Sequence, residues 1–144
     1  MAGYSGTPLP KKLGIKAGQL VAVVNAPDGF EATLSPLPDD ITIIDSLSSS
    51  GRADVIVLFT KSLSDLRGAF KSAAKKLKPD GGLWIGWPKK ASGMPTDVSE
   101  NLVRDIGLAA GLVDNKVCAL DETWSGLRFV YRVADRPNKK AKAK

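Results

Sequence analysis

The stretch from Asp54 to Pro88 confines this chain to one class of architecture. Val55-Ile56-Val57-Leu58-Phe59 is an unbroken apolar run rich in β-branched residues, the pattern of a strand covered on both faces. Ser62 then opens a helix, with Asp65 three residues on as a weak capping box. Leu63, Leu66, Phe70, Ala73 and Leu77 recur at helical spacing and draw one apolar stripe. Lys75, Lys76 and Lys78 crowd the last turn, where cations suit the helix dipole. Pro79 stops the helix, Asp80-Gly81-Gly82 turns the chain, and Leu83-Trp84-Ile85 begins the next strand. Neither strand alternates apolar with polar residues, which disfavours a hairpin with a helix lying loosely beside it. The unit reads as βαβ, and such units are right-handed.

The 144 residues match one ordinary domain. A domain of that size buries roughly 68–70% of its unfolded surface and needs no disulfide or metal to hold it. One cysteine, Cys118, excludes an internal disulfide and a multi-cysteine metal site; its apolar surroundings predict a buried, inert thiol. The chain has no histidine. That removes Ser-His-Asp and Cys-His catalysis, histidine-ligated zinc and the commonest general base. No metal site is expected, and no catalytic residue can be assigned. The opening Met1-Ala2-Gly3-Tyr4-Ser5-Gly6 lacks a charged segment followed by an apolar one. Apolar runs reach only about five residues, far short of a membrane span. The expectation is a cytoplasmic protein with no membrane contact.

Residues 1–18 read as an N-terminal arm, rich in Gly, Ser and Pro, with a short helical turn over Lys11 to Ile15 closed by Gly14 or Gly18. Residues 19–134 form the single α/β domain. Leu20-Val21-Ala22-Val23-Val24 is its first buried strand and ends in turn chemistry at Asn25-Ala26-Pro27-Asp28-Gly29. A short helix from Phe30 to Leu34 is stopped by Pro36 and Pro38. Ile41-Thr42-Ile43-Ile44 is the second strand. The link that follows, Asp45 to Asp54, is short for a helical crossover and reads as loop. After Pro88 comes a polar loop, Lys89 to Pro95. Thr96 or Ser99 then caps a helix whose predicted face is Val98, Leu102, Ile106 and Ala110, ending at Gly111. Lys116 to Leu120 and Leu127 to Val133 are the last strands, around a turn over Asp121 to Gly126. Leu127, Phe129, Tyr131 and Val133 alternate with Arg128 and Arg132, which predicts an antiparallel hairpin. Residues 135–144 have no apolar residue larger than alanine and read as a disordered basic tail. Arg136, Lys139, Lys140, Lys142 and Lys144 carry five of the net +6 charges, so the body is nearly neutral.

The order of these elements resembles a known family. The strand DVIVLF, a helix, the turn LKPDGG, the strand LWIGWP, a helix ending GLAAGLVD and a hairpin closing on LRFVYR resemble the second half of a class I S-adenosylmethionine-dependent methyltransferase. The resemblance covers roughly residues 54 to 133 and bears on fold more than on activity. It implies a Rossmann-like three-layer αβα sandwich, a truncated methyltransferase-like mixed sheet of about six strands with a C-terminal antiparallel hairpin. The opening YSGTPLPKKLGIKAG, followed by NAPDGF, also resembles a small bacterial family of unknown function.

The first half departs from the methyltransferase pattern. Those enzymes place a glycine-rich loop after the first strand, where the cofactor approaches the backbone. Here the loop is Val24-Asn25-Ala26-Pro27-Asp28-Gly29, with one glycine at its far end. Pro27 removes a donor, and Asn25 and Ala26 add Cβ atoms. Asp45 stands where the resemblance implies the acidic residue that holds the ribose hydroxyls. In open parallel sheets, ligands bind at the carboxyl ends of strands near the switch in strand order. That edge would collect Asn25, Pro27, Asp28, Gly29, Asp45, Ser46, Thr60, Lys61, Ser62, Trp87, Pro88, Lys89 and Lys90. The candidate pocket is Asn25, Asp28, Gly29, Asp45, Thr60, Lys61 and Trp87. The competing reading makes most of these turn and cap residues that any such fold requires. Trp84 reads as core, whereas Trp124, in the predicted hairpin turn, reads as an exposed aromatic marking a partner surface.

The function expected on these grounds is a non-catalytic methyltransferase-like domain acting on a protein partner or small ligand, with no cofactor. The alternative is a transferase, using S-adenosylmethionine or another donor, anchored by Asp45 or Asp28. A third reading is weak, non-specific nucleic-acid contact through Arg136, Lys139, Lys140, Lys142 and Lys144.

Overall fold

The computed structural model describes residues 8–48 and 51–133, so the expectations for residues 1–7 and for the basic tail fall outside the described residues. The elements run α1 (Leu9–Leu13), β1 (Leu20–Val24), α2 (Phe30–Thr33), β2 (Thr42–Ile44), β3 (Ala53–Phe59), α3 (Leu63–Lys76), β4 (Leu77–Pro88), α4 (Glu100–Ala109), β5 (Leu112–Ala119) and β6 (Trp124–Tyr131). They build a six-stranded sheet in the order β2-β1-β3-β4-β6-β5. The first four strands in that order are mutually parallel; β6 runs antiparallel to β4, and β5 antiparallel to β6.

Alternation along the strands feeds two cores. Ile56, Leu58, Leu83, Ile85, Leu127 and Phe129 face α3 and α4 on one side. Val55, Val57, Phe59, Trp84 and Trp124 face the other side, where Leu13 and Ile15 at the end of α1, and Phe30 and Leu34 of α2, cover them. On that second side Phe59 makes edge-to-face contacts with Phe30 and Trp124, ring centroids 4.8 and 5.2 Å apart. The link from β2 to β3 passes β1 and holds no helix among its described residues. Its Leu47 packs on the α3/α4 side. Buried Lys76 donates from Nζ to the carbonyl of Gly51 at 2.7 Å, tying the end of the link to α3.

The central βαβ unit forms as read from sequence. The Ser62 hydroxyl accepts from the Asp65 N–H at 3.0 Å, and Leu66, Phe70, Ala73 and Leu77 are buried. Its exit differs. The chain after Lys76 is already extended: Leu77 pairs with Ala53 and Gly82 with Val55, so four residues bulge out opposite Asp54. Lys78 therefore lies on the bulge, not in the helix. Gly81 is required there by proximity, because a Cβ would fall 2.5 Å from the Asp54 carbonyl oxygen.

Asp54 pins this bulge to β1. Its Oδ2 accepts from the Leu20 N–H at 2.9 Å, and its Oδ1 lies 3.0 Å from Lys78 Nζ, at a half-exposed position. The two partners should not weigh equally. Asp54→Ala leaves a partly buried N–H without its acceptor and is expected to cost about 1–2 kcal/mol. Lys78→Met removes only a solvent-screened pair and is expected to cost less than about 1 kcal/mol. Urea unfolding of both variants checks the ranking; equal losses would mean that the Leu20 contact contributes nothing.

The C-terminal region corrects three expectations. Ser99 caps α4, its hydroxyl accepting from Leu102 N–H at 3.4 Å, but the helix buries Val103 and Gly107, while Leu102 and Ala110 are exposed. The strands begin earlier than the residue pattern suggested, so β5 starts at Leu112 and β6 at Trp124, and Val133 lies beyond the sheet at 77% exposure. Trp124 is consequently a strand residue facing the core, 5% exposed, and not a surface aromatic. The true turn is held by Asp121, whose Oδ1 accepts from Thr123 N–H at 2.8 Å and Trp124 N–H at 2.7 Å. Arg104 joins α4 to β5 through Asp114 at 3.0 Å and also meets Glu100 at 2.7 Å. These hydrogen bonds, Glu100 foremost, raise its guanidinium pKa.

Candidate functional site

The sheet fixes where a ligand could approach. The chain leaves β1 toward β2 and returns to β3 on its other side, so the strand order switches between β1 and β3. Val24 pairs with Leu58, Phe59 with Gly86 and Ala22 with Ile44. Across the carboxyl edge, this register lines up Asp45, Asn25, Thr60 and Trp87 on neighbouring strand ends. The edge has two halves of different character.

The half above β1 and β2 is open. Asn25, Ala26, Asp28, Gly29 and Asp45 are all exposed. Asn25 takes φ 61°, the left-handed turn that glycine normally supplies, and Gly29 takes φ 84° before α2. Asparagine tolerates that conformation better than most residues. The tight path out of β1 is therefore kept, although side chains line it where glycines would leave bare backbone. The helix behind it, α2, has only four residues.

In the half above β3 and β4 the polar groups are tied to the chain's own backbone. Thr60 is 7% exposed; its N–H donates to Gly86 O at 2.9 Å and its hydroxyl to Ser62 O at 3.0 Å. The Lys61 carbonyl accepts from the Thr96 hydroxyl at 2.6 Å, while the Lys61 side chain is exposed. The Leu63 N–H at the start of α3 donates to Asp97 Oδ1 at 2.8 Å. Trp87 is 6% exposed and packs in the core beneath α3 and α4.

The seven candidates thus separate. Asn25, Asp28, Gly29 and Asp45 gather on the open half; Thr60 and Trp87 are structural; Lys61 contributes its backbone to a tie. Thr96 and Asp97, which tie the loop before α4 to the start of α3, were not among the sequence candidates. The helix-cap signal at Thr96 was visible, but its target 35 residues earlier was not. Cys118 is half-buried, and burial raises its thiol pKa against the opposing charges of Lys12 and Lys116. Among the described residues, no group of three or more acidic, thiol or imidazole side chains could hold a metal, and no helix is long and apolar enough to cross a membrane.

Comparison with known proteins agrees with this geometry. The model of a family described as protein of unknown function (DUF3052) matches residues 10–133. A search of curated proteins finds no match. Among solved structures, a SAM-dependent methyltransferase from Aquifex aeolicus superposes with a TM-score of 0.60 at 17% identity, over 88% of this chain and 89% of that one. A ribosomal protein L11 methylase from Lactobacillus delbrueckii subsp. bulgaricus gives 0.60 at 13% identity, over 86% of this chain and 75% of that one. Magnesium protoporphyrin IX methyltransferase from Synechocystis PCC 6803, solved with bound SAM, gives 0.56 at 13% identity, over 81% of this chain and 71% of that one. Similarity at this level of identity establishes the shared fold.

Proposed function

The chain belongs to that family of unknown function, and on its methyltransferase-like fold we propose that it is a binding domain that transfers no methyl group. One observation carries this reading: on the β3–β4 half of the carboxyl edge, beside the switch point, Thr60, Thr96 and Asp97 are hydrogen-bonded to the chain's own backbone. A methyl acceptor needs room next to its donor and a group to take its proton. In that half Thr60, Thr96 and Asp97 are engaged with the chain's own backbone, and the chain has no histidine to serve as base. What stays accessible is the Asn25–Gly29 loop with Asp45, a polar surface suited to a protein segment or a small polar ligand.

A second reading rests on the left-handed turn at Asn25, a conformation that glycine commonly supplies in such loops. In that reading S-adenosylmethionine sits over β1, with Asp45 on its ribose. Isothermal titration of the full chain with S-adenosylmethionine separates the two. Binding weaker than about 1 mM, less than about 4 kcal/mol, is expected. Stoichiometric micromolar binding that Asp45→Ala abolishes would overturn the first reading and establish the second.

A further inference from the structure

We propose that the outer flank of α3, together with Arg132 just past the end of β6, binds the phosphate backbone of a nucleic acid. Arg67, Lys71 and Lys75 are exposed and spaced four residues apart. On a helix that spacing places successive charges about 6 Å apart along the axis, each about 40° further round. They form one gently winding cationic stripe. The exposed residues beside it, Ser64, Gly68 and Ser72, are small, and a Cβ at Gly68 would meet nothing within 4 Å. A polyanion can therefore approach closely.

The charges are available. Lys78 is neutralised by Asp54, and Arg104 by Glu100 and Asp114, but among the described residues none of the three stripe cations has an ion-pair partner. Asp65, the acidic residue of α3, lies about 160° round the helix from Arg67. The stripe also lies where β6 ends. The Tyr131 hydroxyl donates to the carbonyl of Ala74, one residue before Lys75. Exposed Arg132 follows directly. Arg136 can be no further than about 18 Å from Tyr131 along the covalent chain. Residues 136–144 add five further basic residues to the sequence beyond Arg132.

The chemistry of the stripe selects the partner. Stable protein interfaces centre on apolar and aromatic groups, and the stripe has none. An interfacial membrane helix needs a free apolar face, whereas that of α3 is buried in the core. A ladder of charge with no recognition helix or ribbon to carry it into a groove fits a sugar–phosphate backbone read without regard to sequence. This surface lies apart from the carboxyl-edge loop and does not depend on what that loop binds.

Fluorescence polarisation of the full chain with short labelled oligonucleotides of mixed sequence, titrated with salt, tests it. Wild type should bind at low salt with similar affinity for every sequence. The R67Q/K71Q/K75Q variant should bind at least about tenfold more weakly, its log–log salt slope shallower by about 2–3. Replacing the five tail cations by glutamine should lower the slope further and independently. R67K/K71R/K75R should retain wild-type binding, so a loss by misfolding is distinguishable, and circular dichroism should show equal thermal midpoints. An unchanged slope in the glutamine variant overturns the proposal. So does absence of binding by wild type, or stronger retention on phosphatidylserine vesicles than on oligonucleotide.

Discussion

Gly107→Ala is expected to lower the thermal midpoint by roughly 5–10 °C, a loss of about 2–3 kcal/mol. On helix propensity alone the change should stabilise α4 by about 1 kcal/mol, because glycine is a poor helix former. Packing reverses the sign. A Cβ at 107 would stand 2.0 Å from Cε1 of Phe129 and 2.5 Å from its Cζ. Phe129 cannot give way. It is fully buried and meets Phe70 edge-to-face at 5.4 Å, so moving its ring disturbs α3 as well. The helix must lift off the sheet, or the ring must leave its rotamer. Differential scanning calorimetry gives the loss. Phe129→Leu in the same background should recover part of it, a coupling of about 1 kcal/mol or more. A Gly107→Ala variant as stable as wild type would mean that α4 is not seated on Phe129.

That contact also explains what the sequence could and could not say. The α3 face was legible because Leu66, Phe70, Ala73 and Leu77 are large or apolar at helical spacing, so the stripe is written in the residues themselves. On α4 the same rule selected Leu102 and Ala110, whereas the seat is Val103 and Gly107. A glycine carries no apolar signal; its role is to be absent where Phe129 arrives from β6. Trp124 was misplaced for a related reason. The cluster Asp121 to Gly126 has turn composition throughout, and only the side-chain acceptor at Asp121 closes the turn early enough to put Trp124 on a strand. The strand sequence from Val55 to Phe59 needed no such partner and formed as read. At the site, the turn after β1 was located from Pro27-Asp28-Gly29 alone, but local sequence does not contain the ties from Thr96 and Asp97. Those are contacts across more than thirty positions, and they decide which half of the edge is open.

Trp84→Ala should cost about 4 kcal/mol, a large part of the 5–15 kcal/mol typical of a domain. Trp84 is fully buried in the core beneath α1 and α2. Its removal empties a space that Gly126, on the neighbouring strand, has no side chain to fill. The indole does a second thing: Nε1 donates to the Leu13 carbonyl at 3.1 Å, fastening the end of α1 to the sheet across 71 positions of sequence. Trp84→Phe separates the two contributions. The ring largely persists while the donor goes, leaving the Leu13 oxygen unpaired at about 1–2 kcal/mol. The two losses should also differ in place. In Trp84→Phe, native-state hydrogen exchange should show the Ile15 amide, bonded to Pro10 O at 2.9 Å, losing protection by local opening, while the β3 amides follow only the global stability. In Trp84→Ala the β3 amides should weaken too, because the cavity lies against the sheet. If Ile15 in Trp84→Phe stays as well protected as β3, then α1 is held by the apolar packing of Leu13 and Ile15 alone, and the indole hydrogen bond adds nothing to its docking.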